Sequence, residues 1–92
     1  MKVNLRFFAR FRELIGTEVE VDAEDGATVA DAIRQACAGS PEGRAAIFSD
    51  SGTFQEHVIL MLNGKRLDAG IAADTKVADG DLIAVFPPVA GG

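Results

Sequence analysis

The chain has 92 residues, 48% of them hydrophobic and 25% charged, with a formal net charge of -5. That length sets one domain with a single modest core, burying about 60–65% of the surface of the unfolded chain. An acidic chain lacks the cationic footprint that nucleic acid requires, and it suits a partner with a basic docking groove. One cysteine, Cys37, excludes an internal disulfide. The start, MKVNLRFFARFRELIG, is broken by charge every few residues. It is neither a signal segment nor a membrane span, so a cytoplasmic protein with no membrane partner is expected.

Residues 2–8 alternate, with Val3, Leu5 and Phe7 on one face and Lys2, Asn4, Arg6 and Phe8 on the other. This period-2 pattern predicts a half-buried strand. Residues 9–15 follow as a short helical turn ending before Gly16, and residues 18–22, EVEVD, alternate again as a second strand. Thr28 and Asp31 have the spacing of a helix N-cap and its N3 acid. Val29, Ala32, Ile33 and Ala36 then recur at helical spacing, and Gly39-Ser40-Pro41 ends that helix. Residues 42–48 give a further turn of helix and residues 49–53 a loop. Residues 57–62, HVILML, form a strand that is apolar on both faces, and Asn63-Gly64 is a strong hairpin signal. A brief strand near Arg66 and Leu67 comes next. The polar stretch 74–81 turns at Gly80, and residues 82–86, LIAVF, make the last strand, stopped by Pro87-Pro88. The economical arrangement is α+β: a mixed sheet of four to five strands over one main helix, with the first and last strands central and adjacent.

The side chains offer no catalytic set. His57 is the single histidine, with no evident Cys or Ser partner, and reads as a structural or surface residue. Cys37 reads as a small buried hydrophobe. One Cys and one His build neither a zinc site nor an iron–sulfur cluster, and no phosphate-binding glycine loop is present. The C-terminus is different. Phe86-Pro87-Pro88-Val89-Ala90-Gly91-Gly92 joins two prolines, which hold an extended arm, to an apolar grip at Val89 and a tip with almost no side-chain bulk. Such an arm threads a channel too narrow for larger residues and delivers the Gly92 carboxylate to a deep site. That carboxylate, ionised at neutral pH, can attack the α-phosphate of ATP. The resulting acyl adenylate is open to sulfide, giving a thiocarboxylate, or to a lysine amine, giving an isopeptide. The division expected is therefore residues 1–86 as a folded domain and residues 87–92 as a flexible arm.

Three pieces carry a resemblance: LRFFARFRELIG at residues 5–16, TVADAIRQA at 28–36 and VADGDLIAVFPPVAGG at 77–92. Together they resemble the MoaD family, the small subunits of molybdopterin synthase within the MoaD/ThiS superfamily of sulfur carriers. The chain is also similar to small archaeal modifier proteins. The resemblance implies a β-grasp, ubiquitin-like fold and a non-catalytic carrier. It implies that Gly92 is adenylated by a ubiquitin-activating-type enzyme that uses ATP, with no cofactor permanently bound, and then carries sulfur as a thiocarboxylate. In the molybdopterin branch the arm, Phe86 to Gly91, enters the large synthase subunit (MoaE-like); in the modifier branch Gly92 is joined to target-protein lysines. Sulfur donation for tRNA thiolation, thiamine or cysteine synthesis belongs to the same chemistry.

A docking patch is expected on the sheet face away from the helix. If Val58, Leu60 and Leu62 face the helix, Ile59 and Met61 face out; if Ile83 and Val85 face in, Ala84 and Phe86 face out, joined by Phe8. An apolar patch of this kind usually marks an interface, although a one-residue slip in register would invert the assignment.

Overall fold

The structure is a computed structural model describing residues 1–88; Val89, Ala90, Gly91 and Gly92 lie outside the described residues. In chain order the elements are β1 (Lys2–Phe7), α1 (Arg10–Ile15), β2 (Glu18–Asp22), α2 (Val29–Ala36), α3 (Pro41–Ile47), β3 (Ile59–Leu62), β4 (Lys65–Leu67), a 3₁₀ turn (Ala69–Ile71) and β5 (Leu82–Phe86). The five strands form one sheet in the order β2-β1-β5-β3-β4. β1 and β5 run parallel, with Leu5 opposite Ile83 and Phe7 opposite Val85. Every other neighbouring pair is antiparallel.

The alternation in β1 is the reason for its place. Val3, Leu5 and Phe7 are fully buried while Lys2, Asn4 and Arg6 are exposed, so one face meets the core and the other does not. β5 repeats the pattern through Ile83 and Val85, and β3 through Leu60. α2 covers this inner face with Val29, Ala32 and Ile33. It starts as its sequence dictates: the Thr28 hydroxyl accepts from the Asp31 N–H at 3.2 Å, and the Asp31 carboxylate accepts from the Thr28 N–H at 3.0 Å.

Three boundaries differ from the sequence reading. Glycine and proline at 39–41 suggest a helix stop, but α2 already ends at Ala36, with Cys37 as its C-cap. Ser40-Pro41 instead opens α3: the Ser40 hydroxyl accepts from the Gly43 N–H and donates to the Leu14 carbonyl at 2.8 Å, and Pro41 takes the first helical position. One Ser-Pro pair therefore starts a helix and ties it to the end of α1. Gly43 is required there because a β-carbon would overlap Ile15 of α1. The strand read at 57–62 begins only at Ile59, since His57 takes a positive φ of 65° that takes it out of the extended conformation. The 3₁₀ turn at 69–71, held by the Asp68 carboxylate accepting from the Gly70 N–H, has no apolar periodicity to announce it.

Leu60 is fully buried in the middle of β3, opposite Val85 and Leu67. Leu60→Ala is expected to cost ~2–5 kcal/mol in a denaturant titration. A change under about 1 kcal/mol, the scale of an ordinary surface substitution, would contradict this placement.

Candidate functional site

Of the residues singled out by sequence, Phe8, Ile59, Met61 and Phe86 come together on the outer face of the sheet. The register does this. Ile59 stands directly opposite Phe86, and Met61 opposite Ala84, across the antiparallel β3–β5 pair. Directly opposite residues share a face, and the inner face is already fixed by Leu60, Ile83 and Val85. Phe8 follows the end of β1. Its N–H donates to the Val85 carbonyl at 3.2 Å, and its ring lies stacked on Phe86 with centroids 4.2 Å apart and planes 11° apart. An open groove of about 570 Å³ runs beside this pair. Ile59, Met61 and the two phenylalanine rings line it, and Pro87 and Pro88 continue the same wall. The candidate arm thus begins inside the groove's own lining; its remaining members, Val89 to Gly92, lie outside the described residues.

The backbone at the groove's rim is strained. Ala9 takes φ 52° and ψ -128° and leads directly into α1 with no side-chain cap. That region is comfortable only for glycine. The strain lets the chain reverse between Phe8 and Phe11, leaving Phe8 half-exposed on the outer face and Phe11 buried.

Charge is distributed unevenly around the site. Acids crowd the opposite edge strand β2, where Glu18 pairs with Arg6 at 3.2 Å and Asp22 with Lys2 at 2.9 Å. Near the groove the charged side chains are cationic: Arg10 lines it, and Arg66 stands opposite Met61 in the β3–β4 pair. Among the described residues neither arginine has a carboxylate within ion-pair distance. Two arginines thus stand at the groove of a chain whose net charge is -5.

The remaining candidates stay apart from the groove. His57 is exposed beside Glu56 at 3.9 Å. Cys37 is buried at the end of α2, and burial pushes its thiol up to about 11. No cluster of three or more metal-ligating side chains exists among the described residues, and none of their helices is long and apolar enough to cross a membrane. Sequence reasoning missed Ala9 and Arg10. Alanine carries no signal for a positive φ, and a lone arginine beside a helix start looks like any solvated charge.

The sheet order, the parallel central pair and the covering helix define a ubiquitin-like β-grasp protein whose C-terminal strand opens onto an apolar sheet face. The chain belongs to the ThiS family, whose profile matches residues 5–92. It is 39% identical to small archaeal modifier protein 3 of Haloferax volcanii over the whole of both chains. It is 36% identical to the molybdopterin synthase sulfur carrier subunit of Escherichia coli, covering 98% of this chain and 99% of that one. Among solved structures it is similar to SAMP1 from Haloferax volcanii, with a TM-score of 0.86 and 32% identity over all of both chains. A chain in the complex of subunits 1 and 2 of molybdopterin-converting factor from Helicobacter pylori matches with a TM-score of 0.60 and 25% identity, again over all of both chains. The protein is thus one of a family of ubiquitin-like sulfur carriers and modifiers, and relatives of it work as a small subunit beside a partner.

Two outcomes follow from these environments. Ala9→Gly relieves the positive-φ strain and is expected to raise stability by about 1 kcal/mol; a denaturant midpoint that falls would contradict it. The raised thiol of Cys37 ionises more readily in the unfolded chain than in the native one. Its contribution to stability is full below the unfolded thiol range, near 8.5, and is lost as pH rises toward about 11. Native Cys37 should resist iodoacetamide at pH 8 and react on unfolding; fast labelling of the native protein would contradict burial of the thiol.

Proposed function

We propose that the protein is a sulfur carrier whose working group is the Gly92 carboxylate, and that residues 1–86 present it without taking part in the chemistry. The observation that carries this reading is the exit of the chain from β5. Two prolines leave the strand along the wall of an apolar groove, and Gly92 is only the fourth residue after Pro88. Covalent geometry lets four residues span at most about 14 Å. This short reach supports a reading in which an enzyme acting on Gly92 stands near the groove, with Phe8, Ile59, Met61 and Phe86 as the surface it meets.

The reaction balances with an adenylating partner of the ubiquitin-activating type. A carboxylate oxygen of Gly92 attacks the α-phosphate of ATP, pyrophosphate leaves, and an acyl adenylate forms. Hydrosulfide then displaces AMP, releasing a proton and leaving a C-terminal thiocarboxylate. The small tip Ala90-Gly91-Gly92 suits a narrow channel, and Arg10 and Arg66 suit an acidic rim on the partner. The kinship with the carrier subunit of molybdopterin synthase supports delivery of that sulfur within a large MoaE-like subunit, during molybdenum cofactor synthesis. The kinship with small archaeal modifier protein 3 supports a second reading, in which a target lysine amine displaces AMP and an isopeptide forms at Gly92.

With ATP, hydrosulfide and the activating enzyme, Gly92 is expected to gain about 16 Da as one oxygen is replaced by sulfur. Deleting Gly91 and Gly92 should abolish the gain while leaving the melting temperature almost unchanged, since a terminus contributes little burial. A full-length chain that never gains the mass would contradict the carrier reading. The modifier reading predicts target lysines bearing residues 77–92 after trypsin, because Lys76 is the last basic residue. Their absence from cell extracts would reject it.

A further inference from the structure

The point where the chain leaves the sheet is held from both sides: Ile59 of β3 stands opposite Phe86, and Phe8 adds a ring stack from the side of β1. Phe8 holds β5 twice: its N–H bonds the Val85 carbonyl at 3.2 Å, and its ring lies flat on Phe86 at 4.2 Å. Stacking of this kind stabilises a pair beyond the area it buries. The backbone after Phe8 takes the strained conformation at Ala9 to keep that ring on the outer face. Strained residues persist where the surroundings over-determine them, and they cluster at functional positions.

What the stack holds is the base of a stiff segment. A residue before proline is confined to extended conformations, and proline fixes its own φ. Phe86, Pro87 and Pro88 are therefore three consecutive residues with little freedom. Orientation imposed on the Phe86 ring and backbone passes along this rod to whatever follows.

We propose that Phe8 is a positioning residue: by stacking on Phe86 it fixes the direction in which the Pro87–Pro88 rod carries the C-terminal residues away from the sheet. The purpose of that direction rests on the carrier reading of Gly92, but the stiffening itself does not.

The test uses the full chain in solution, with carbon-13 relaxation at the α-carbons of Pro87 and Pro88. Phe8→Tyr keeps an aromatic ring; Phe8→Leu keeps apolar bulk without one. In the native chain and in Phe8→Tyr, both prolines should show order parameters near the rigid-backbone value of about 0.85; in Phe8→Leu they should fall toward about 0.6, with Leu60 and Ile83 unchanged. Unaltered order at both prolines in Phe8→Leu would overturn the proposal. So would an equal loss at Leu60 and Ile83, which would mark Phe8 as a general packing residue. In pyrophosphate release by an activating enzyme at limiting carrier, Phe8→Leu should be slowed about tenfold, equivalent to one factor of ten in the rate, with most of the rate recovered in Phe8→Tyr. If the native chain releases no pyrophosphate, the carrier reading fails, and the relaxation data alone decide the role of Phe8.

Discussion

Everything at the functional end of this molecule depends on the parallel pairing of β1 with β5 at the centre of the sheet. Leu5 against Ile83 and Phe7 against Val85 bury both strands on one face. Because side chains alternate, the same pairing fixes what the other face shows: Ala84 and Phe86 on β5, with Phe8 arriving beside Phe86 at the end of β1. A shift of one residue would place Phe86 in the core and Val85 outside, and would remove the groove along with the stack. Core and apolar outer face are thus two consequences of one register.

The register was legible because the patterns agree. β1 alternates cleanly, and the inner residues of β5 are both β-branched, as strands that face a helix favour. β3 was harder to read. Its run from 57 to 62 is apolar on both faces, so periodicity alone left open which set pointed inward. Tertiary pairing decides it: Leu60 lies between Val85 and Leu67. The capping box at Thr28 and Asp31 and the Asn63-Gly64 hairpin formed where their local chemistry places them. Local chemistry also explains what was misread. Ser40-Pro41 is as good a helix start as Gly39 is a stop, and the hydroxyl's second bond, to Leu14, is a contact across sequence that no local rule anticipates.

The functional end was only partly legible. The aromatic and aliphatic members of the patch were visible as the residues left over once the core was assigned. The strain at Ala9 and the arginines around the groove were not, because both depend on the path of the chain rather than on residue type. Glu18, Glu20 and Asp22 stand together on β2 while Arg10 and Arg66 stand by the groove, a separation that the summed charge of -5 does not show.

The carrier reading proposed above separates recognition from reaction in this ubiquitin-like fold. On that reading the sheet face is recognised, the proline rod directs, and the reacting atoms belong to the last residue and to a partner. The most direct test of that separation leaves the body untouched and blocks only the tip. A chain carrying one added tryptophan after Gly92 should fold as before, yet acquire no sulfur from ATP, hydrosulfide and the activating enzyme, while the native chain is converted. Equal conversion of the extended chain, with the tryptophan still attached, would contradict the account.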